Sequence, residues 1–331
     1  MPNEMRIGLI GCGRHGLGVL APALAPVPNA HIVACADDDE VAARDGQETL
    51  GLNRPYLDYH EMLNAEDLDA VIVAVPHFLL KDISLAVLES GKHLFVEKPM
   101  ALNSADGELM AKTARESGVS LMVGFCQRYS EGRLRMKSLI DSGAIGEITA
   151  VTAAKGNPPL TGWLADPLKG GGELHWLGVH ITDQVIWITG SQPERVYGEI
   201  RWHPTTSADE TTIFTMRMQS GVIASITCSQ NVSGRLDYVS VEGTAGRIRS
   251  DWPSEVVEVV SDILPEYRRP TIIRPIEPLF SSMYQNEMTD WISGLRHGNP
   301  PKINSSDGIT VLKVIDAVFE SHRSGTPIDI T

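Results

Sequence analysis

The chain has 331 residues, a net charge of −14 and a sequence isoelectric point near 5.1. This length is enough for two domains, each with its own core. The acidic balance argues against nucleic acid and anionic membrane as partners, and no apolar run is long enough to span a membrane. Because residues 1–4 lead directly into the first strand, we expect no signal peptide and a cytoplasmic location.

The four cysteines show neither a C-x-x-C pair nor the spacing of zinc ligands. We expect them to be reduced and mostly buried, and we expect no metal site. Cys12 lies within a glycine-rich turn, where a thiol with a lowered pKa would be reactive, but a structural role is the favoured interpretation. The positions are Cys12, Cys35, Cys126 and Cys228.

The first 37 residues have the pattern of a dinucleotide-binding unit. A short apolar strand, Arg6–Ile10, runs into a G-x-G-x-x-G turn. The first glycine permits the turn, the second lets the backbone approach a pyrophosphate, and the third lets helix and strand pack closely. The N–H groups of Arg14 and His15 would face the phosphates at the helix N-terminus. The three glycines are Gly11, Gly13 and Gly16.

An acidic residue follows at the distance that this fingerprint requires. The strand His31–Ala36 ends at Asp37, about 20 residues after the last glycine. A carboxylate there accepts hydrogen bonds from the ribose hydroxyls of the adenosine. Because Asp38 and Asp39 follow, three acidic side chains would repel a 2′-phosphate, so the predicted cofactor is NAD and not NADP. A tight turn without a ligand is the alternative.

The next segments alternate between helix-like and strand-like patterns, which predicts a doubly wound parallel sheet, the Rossmann fold, over residues 1–125. Continuous apolar runs typical of buried parallel strands occupy 70–75, 93–96 and 121–123. The helical patterns occupy 40–50, 59–64, 81–90 and 104–117.

From about residue 126 the pattern changes to period-two strands joined by turns. This predicts a second α/β domain over residues 126–331 with a large, open, mostly antiparallel sheet, closed by a helix at 307–324. An open sheet has a second face to cover, so a homo-oligomer is expected. The predicted strands are 148–154, 195–202, 211–218, 222–230 and 238–242.

Candidate site residues of the first domain follow the predicted strands. Ligands of doubly wound folds bind outside the carboxyl ends of the strands, where Pro76 and His77, Glu97 and Lys98, and then Gln127 and Arg128 are expected. Burial could lower the pKa of Lys98 from about 10.4 toward about 7 or 8, where it would act as a general acid or base. A surface lysine in a turn is an equal alternative.

A second candidate segment begins with the glycine triplet 170–172 and continues as a helix to Thr189. The triplet would let the backbone come close to a ligand where the helix begins. At about 100° per residue, His180 shares a face with Trp176 and Asp183, while His175 lies roughly 140° away from it. A lone histidine on a helix is more often structural than catalytic.

Taken together, the chain resembles the glucose-fructose oxidoreductase and inositol dehydrogenase family, Gfo/Idh/MocA. The resemblance implies a Rossmann domain followed by an α/β domain whose open sheet makes the contacts of a homodimer or homotetramer. It also implies hydride transfer between nicotinamide and a secondary hydroxyl of a sugar, sugar derivative or cyclitol. The motifs that carry it are GCGRHG, Asp37, Val75-Pro76-His77, Gly91-Lys92-His93, Glu97-Lys98-Pro99, Gly124-Phe125, Gln127-Arg128, Asp166-Pro167, and Gly178-x-His180-x-x-Asp183.

The resemblance also implies residue roles. In the family pattern Lys98 binds the substrate hydroxyl and His180 moves its proton, which agrees with the need to take up that proton as the hydride leaves. The substrate contacts that we infer are Arg128, Trp163, Asp166, His175 and Trp176. The inferred cofactor contacts are Gly11, Gly13, Arg14, His15, Gly16, Asp37, Pro76, His77, Glu97 and Lys98.

Two positions depart from the family pattern. Trp176 stands four residues before His180, where many relatives have an aspartate that orients the histidine. Tryptophan could instead stack on a pyranose ring or pack in the core, and Asp183 is a candidate replacement for the orienting role. Leu164 stands where relatives often have arginine. Substrate recognition is therefore expected to differ from that of simple inositol dehydrogenases.

An NAD-dependent dehydrogenase is the leading hypothesis, and two alternatives stay open. The first is a redox-neutral glycosidase or lyase that oxidises a sugar carbon transiently, eliminates the aglycone and takes the hydride back, with His175 serving the elimination. The second is a cofactor-sensing protein without catalysis, which only Trp176 favours. The sequence does not identify the sugar or cyclitol, the reacting carbon or the physiological direction.

Overall fold

The structure is a computed structural model that describes residues 4–275 and 280–330. The described residues fall into two compact units. The first runs to Cys126 and also includes Ser281–Ile309, and the second consists of Gln127–Phe280 and the chain from Thr310 onward. The predicted second domain, 126–331, thus includes a segment that groups with the first unit. Residues 1–3, on which the expectation about a signal peptide depends, lie outside the described residues.

In the described part of the first unit, five parallel strands form a sheet in the order β2-β1-β3-β4-β5. The order reverses between β1 and β3, and ligands of doubly wound folds bind at such a point, beside the carboxyl ends of the strands. The buried apolar run in β3 supports parallel pairing on both of its edges. The strands are β1 (Met5–Ile10), β2 (Ala30–Ala36), β3 (Ala70–Val73), β4 (His93–Glu97) and β5 (Leu121–Gly124).

The helices of this unit begin and end at recognisable caps. Asp39 accepts hydrogen bonds from the N–H groups of Val41 (2.9 Å) and Ala42 (3.0 Å), and Gly51 ends the same helix with a φ of +66°. The helix after β3 begins at His77, four residues before the predicted start, because the helix follows Pro76 directly. The helices are α1 (Ala21–Leu24), α2 (Glu40–Leu50), α3 (Tyr59–Ala65), α4 (His77–Glu89) and α5 (Ser104–Glu116).

The described part of the second unit contains a nine-stranded sheet in the order β13-β12-β11-β10-β6-β9-β8-β7-β14. Its neighbours are antiparallel except for β6 and β9, which confirms the predicted, mostly antiparallel sheet. Five of the strands were predicted. They are β6 (Ile148–Gly156), β7 (Pro193–Trp202), β8 (Asp209–Met218), β9 (Ile223–Ser229) and β10 (Leu236–Gly243). The others are β11 (Gly246–Asp251), β12 (Val256–Ser261), β13 (Thr271–Ile273) and β14 (Ile328–Asp329).

One face of this sheet is covered and the other is open within the second unit. Along β8, Phe214 and Met216 are buried, whereas Ile213 is 53% exposed. The helix α7 is buried along most of its length and packs on β6 and β9. The remaining helices are α6 (Glu131–Asp141), α7 (Val179–Thr189), α8 (Phe280–His297) and α9 (Ser305–Ser324).

A buried ionic cluster lies between α6, α7 and the sheet. The carboxylate of Asp237 on β10 accepts hydrogen bonds from Arg133 Nη2 (2.8 Å) and Gln127 Nε2 (2.9 Å) and pairs with Lys155 on β6. Gln127 in turn accepts from Lys155 Nζ (3.0 Å) and from Gln184 on α7. Burial alone would raise the pKa of Asp237, but Lys155 and Arg133 outweigh it and hold that pKa below its usual value. The cluster thereby fixes α7 to the sheet.

A second buried pair holds the middle of α7. Arg128 Nε lies 2.9 Å from Asp183 Oδ2, and Arg128 Nη2 lies 2.5 Å from Oδ1. Such a two-pronged contact fixes both the position and the orientation of a carboxylate. The carboxylate of Asp183 is thus held by Arg128, and its role as the partner that orients His180 stays a prediction.

The state of the cysteines and the lack of a membrane-spanning segment were also expected from the sequence. All four cysteines are buried and free, as predicted. In the ranges 4–275 and 280–330, no helix combines the length and apolar character needed to cross a bilayer.

We predict that Asp237→Asn destabilises the protein by about 3–5 kcal/mol near pH 7, because two buried cations would lose their counter-charge. The measurement is urea unfolding. Asp251→Asn, which removes an exposed carboxylate from its pair with Arg249, is the control and should cost at most about 1 kcal/mol. Since the folded pKa of Asp237 is lowered, its stabilisation is present above the unfolded pKa of about 3.9 and is lost as the pH falls below it. Equal effects of the two variants at pH 7 would contradict the prediction.

Candidate functional site

The turn after β1 is shaped by glycines that serve two different purposes. Gly11 has a φ of +98°, and a Cβ at Gly11 or at Gly16 would overlap a backbone oxygen, that of Ala74 or of Gly11 respectively. A Cβ at Gly13 would meet no protein atom within 4 Å. The outer glycines are therefore required by the protein's own packing, whereas the middle one leaves room outside the protein surface, where a pyrophosphate would approach.

The helix that follows this turn begins at an exposed position and contains a wide, π-type segment. Arg14 is exposed, and the first N–H groups of any helix lack partners within it. In the segment Gly16–Leu20 the hydrogen bonds skip one more residue than in an α-helix, as in the contact of Ala21 N–H with the Gly16 oxygen. The N-terminus of this helix can bind an anion such as a phosphate.

Asp37 lies at the end of β2, beside this turn. Its Oδ2 accepts the N–H of Cys12 (2.8 Å) and its Oδ1 accepts the N–H of Asp39 (3.0 Å). Each carboxylate oxygen has a second lone pair, so both can also accept a ribose hydroxyl. The residues present thus fit an adenine dinucleotide. Asp39 keeps its negative charge and also caps α2 with its carboxylate.

Two predicted cofactor contacts, His15 and Glu97, bind each other. His15 Nε2 lies 2.8 Å from Glu97 Oε1, and the backbone N–H of Lys98 donates to Glu97 Oε2 (3.1 Å). Burial opposes ionisation of Glu97, but His15 and Lys98 together hold its pKa below the usual value. The buried carboxylate therefore fixes the backbone at Lys98, whose own side chain is half-buried.

The remaining predicted residue pair of the first unit lies between β3 and α4. Pro76 is half-buried and immediately precedes α4, and His77 is the first residue of that helix and is buried. Both follow the carboxyl end of β3, which agrees with the expected position on this edge of the sheet.

In the second unit, the glycine triplet makes room for the protein's own side chains. Gly171 and Gly172 have φ angles of +78° and +83°. A Cβ at Gly171 would lie 2.6 Å from the ring of His175, and one at Gly172 would overlap the carboxylate of Asp209. The space on the Cβ side of these two glycines is therefore occupied by His175 and Asp209, and the approach of a ligand to the backbone here stays a prediction.

The helix after the triplet starts with a second π-type segment, Leu174–Gly178, in which the N–H of Val179 donates to the oxygen of Leu174. In such a turn each residue advances by less than the 100° of an α-helix. The predicted separation of about 140° between His175 and His180 assumed α-helical geometry through this segment, so that assumption does not hold here. The orientation of His175 and Trp176 relative to His180 stays a prediction.

His175 and His180 are both buried, at 5% and 6% exposure. His175 Nδ1 lies 2.9 Å from the carbonyl oxygen of Gly171, and its ring stacks on Phe319 with centroids 5.9 Å apart. A carbonyl oxygen can only accept, so Nδ1 carries the proton in this contact. In neutral His175 the other ring nitrogen, Nε2, is then a proton acceptor.

The other predicted substrate contacts lie on the same segment or just before it. Trp163, Asp166 and Trp176 are half-buried, and Asp166 Oδ1 accepts the N–H of Leu168 (2.9 Å). Arg128 is 9% exposed and holds Asp183, as described above. All of these residues belong to the second unit, as do His175 and His180.

Sequence reasoning missed Asp209, Lys155 and Asp237. Asp209 is 1% exposed, and burial raises its pKa to about 7. Each of the three is a charged residue within or at the start of a strand, where an exposed charge is the usual interpretation. The available signal for such a buried charge was a charged residue at a position that the period-two pattern assigns to the buried face. Lys155, among the buried residues 153–156, is an example.

Two family models match the chain. The model described as oxidoreductase family, NAD-binding Rossmann fold, matches residues 5–125, and the GFO/IDH/MocA C-terminal domain model matches residues 134–249. The first match confirms the predicted NAD-binding Rossmann domain.

Curated relatives and solved structures extend over nearly the whole chain. Myo-inositol 2-dehydrogenase of Thermotoga maritima is 28% identical over 312 residues, which cover 92% of each chain. The scyllo-inositol 2-dehydrogenase (NAD(+)) of Bacillus subtilis is 26% identical and covers 100% of this chain and 97% of its own. An oxidoreductase from Agrobacterium radiobacter, solved in complex with NAD+, L-tartaric acid and magnesium, has a TM-score of 0.87 at 21% identity over 99% of each chain. The structural likeness shows the same fold.

We predict that the glycines of the first turn separate into two groups when each is changed to alanine. Gly13→Ala should leave the melting temperature nearly unchanged and weaken NAD binding about tenfold or more, because its Cβ fills only the space of the ligand. Gly16→Ala should destabilise the protein by about 1–3 kcal/mol, because its Cβ meets backbone. Calorimetric titration with NAD and thermal unfolding measure the two effects.

Gly18→Ala is the matched control, since Gly18 lies in the same helix and a Cβ there also meets no protein atom within 4 Å. It should change neither quantity by much. If Gly13→Ala binds NAD as tightly as Gly18→Ala does, the space beside Gly13 does not hold the pyrophosphate.

Proposed function

We propose that this chain, which belongs to the Gfo/Idh/MocA family of NAD-binding oxidoreductases, transfers a hydride between the nicotinamide of NAD and a secondary hydroxyl of a sugar, sugar derivative or cyclitol. The observation that carries the proposal is the first turn, where Gly13 alone among its three glycines faces open space beside Asp37. The names of the inositol dehydrogenases that it is similar to support the substrate class.

Bound NAD supplies the hydride acceptor, and the protein must manage the proton and the position of the substrate. In the proposed mechanism Lys98 donates a hydrogen bond to the reacting hydroxyl and stabilises the oxygen as negative charge develops. His180 takes the hydroxyl proton as general base, and returns it in the reverse reaction.

The surroundings of these two residues support those roles. Lys98 directly follows an apolar, buried strand, and its backbone is held by Glu97. His180 lies on α7, which the Arg128–Asp183 pair and the Asp237 cluster hold against the sheet. Groups on rigid, buried elements keep their geometry during catalysis.

We assign substrate recognition to the residues around the second π-type turn. Trp176 and Trp163 are half-buried and present ring surface that can stack on the apolar face of a pyranose or cyclitol. Asp166 and His175 supply polar atoms for ring hydroxyls. Arg128 stays in the proposed substrate set, although its contact with Asp183 gives it a structural task as well.

The same proposal includes a preference for NAD over NADP. A 2′-phosphate would lie beside the carboxylate of Asp37, and the exposed Asp38 adds a second negative charge. The proposed state of the protein is a cytoplasmic homodimer or homotetramer. Its contacts would cover the open face of the nine-stranded sheet, where Ile213 and Ile223 are about half exposed.

The second candidate function is the redox-neutral glycosidase or lyase. It is favoured by one observation, a second buried histidine, His175, at the start of the helix that carries His180. One histidine could move the hydroxyl proton and the other the proton removed in the elimination.

We predict net reduction of NAD when the purified protein is mixed with NAD and a panel of inositols, free sugars and glycosides. The reaction is followed by nicotinamide absorbance, with NADP in a parallel series that should react at least about tenfold more slowly. Release of aglycone from a glycoside without net reduction would establish the redox-neutral function instead. Neither reduction nor aglycone release across the panel would contradict both.

For Lys98→Met we predict a loss of about 10²–10⁴-fold in kcat with nearly unchanged affinity for NAD, because the hydrogen bond to the reacting oxygen disappears. Lys112→Met, which removes an exposed lysine on α5, is the control and should retain full activity. Stopped-flow turnover and NAD titration give the two constants. Unchanged turnover in Lys98→Met removes this lysine from the mechanism.

A further inference from the structure

Asp209 is a buried carboxylate at the start of β8 that contacts the beginning of the His180-bearing helix. Its Oδ2 accepts the N–H of Leu174 at 2.8 Å, and Leu174 is the first residue of the second π-type segment. The side chain is 1% exposed. A carboxylate at a helix N-terminus satisfies N–H groups that lack a partner within the helix and interacts favourably with the helix dipole.

The chain is built to admit this carboxylate. Gly172 has a φ of +83°, and a Cβ there would overlap Asp209 Oδ1. The side-chain amide of Gln230 donates to the backbone oxygen of Asp209 at 2.7 Å, which fixes the strand at this point. Gly172 thus allows the close approach of the carboxylate, and Gln230 fixes the backbone that carries it.

The turn held by Asp209 lies directly before two histidines. His175 is the second residue of the π-type segment and is bound to the Gly171 oxygen, and His180 follows it by five residues on α7. A shift of the helix start would therefore displace both rings. The side-chain anchor on the N–H of Leu174 restrains that shift.

We propose that Asp209 is a positioning residue of the reaction, whose carboxylate holds the turn at Leu174 and thereby fixes the start of the helix that carries His180. The inference rests on the proposed function, in which His180 moves the substrate proton. Asp209 itself touches neither substrate nor cofactor in this assignment, and acts through the backbone of the turn.

The charge of Asp209 adds a pH dependence to this role. Burial raises its pKa to about 7, and the ionised form is the better acceptor for N–H groups. The titratable groups around it are Glu173 on the helix, Glu210 beside it on β8 with Arg201 as its partner, and Cys228 on β9. We expect the protection of amides 173–180, after correction for the intrinsic pH dependence of exchange, to increase with pH through about 7 in the wild type, and this increase should be absent in Asp209→Asn.

The experiment compares Asp209→Ala and Asp209→Asn with wild type by hydrogen exchange and by steady-state kinetics in the complete protein. Exchange detected by mass spectrometry should be about tenfold or more faster in Asp209→Ala for amides 173–180, with other segments of the sheet unchanged. In the same variant kcat should fall about 100-fold while KM for NAD changes less than about twofold. Asp209→Asn retains an acceptor and should recover part of both losses.

Glu210→Gln is the matched control, because Glu210 is also buried and adjacent, yet pairs with Arg201 and Asn231. It should leave exchange at 173–180 and kcat unchanged. Exchange that accelerates everywhere in Asp209→Ala, or normal exchange at 173–180, overturns the proposal. Because exchange is measured without substrate, it still decides whether Asp209 holds the turn if no substrate from the panel reacts.

Discussion

A wide turn at the start of a helix, preceded by glycines, is a constraint that occurs in each of the two units. In the first unit the segment is Gly16–Leu20, and in the second it is Leu174–Gly178. Each needs a neighbouring group to come closer than a Cβ allows: the backbone oxygen of Gly11 at Gly16, and the carboxylate of Asp209 at Gly172. A π-type turn has weaker hydrogen-bond geometry than an α-helix and persists only where its surroundings hold it. The surroundings differ: backbone closes the first turn, whereas a carboxylate anchors the second.

The anchored second turn fixes the position of His180 only if α7, the helix that follows the turn, cannot shift. The Asp237 cluster and the Arg128–Asp183 pair place several charges in the interior, where desolvation is costly. Apolar residues of similar volume would often stabilise a fold equally well. The charged arrangement provides directional contacts instead: α7 is bound at Asp183 and Gln184, so both its rotation and its translation against β6 are fixed. The position of His180 is defined by these contacts together with the anchored turn before it.

Local sequence patterns predicted much of the fold. They failed where the local structure depends on contacts with residues far away in the sequence. The bounds of α2 were predicted correctly because Asp39 and Gly51 are caps that act within the helix itself. The helix α6 was not predicted because its sequence is rich in charged residues. One of them, Arg133, is buried only because it binds Asp237 and Ser250, which are about a hundred residues away in the sequence. The π-type segment at 174–178 was not predicted for a related reason. Nothing in residues 170–180 reveals that Asp209, from another strand, occupies the space beside Gly172.

This distant contact also bears on Trp176, the position that departs from the family pattern. Leu174, two residues before the tryptophan, gives its N–H to Asp209, so a carboxylate from another strand holds the start of the helix. The neighbouring His175 is bound through Nδ1 to the Gly171 oxygen, so its neutral ring has Nε2 as an acceptor. The segment before His180 thus keeps polar groups in fixed positions although an aromatic residue stands at position 176.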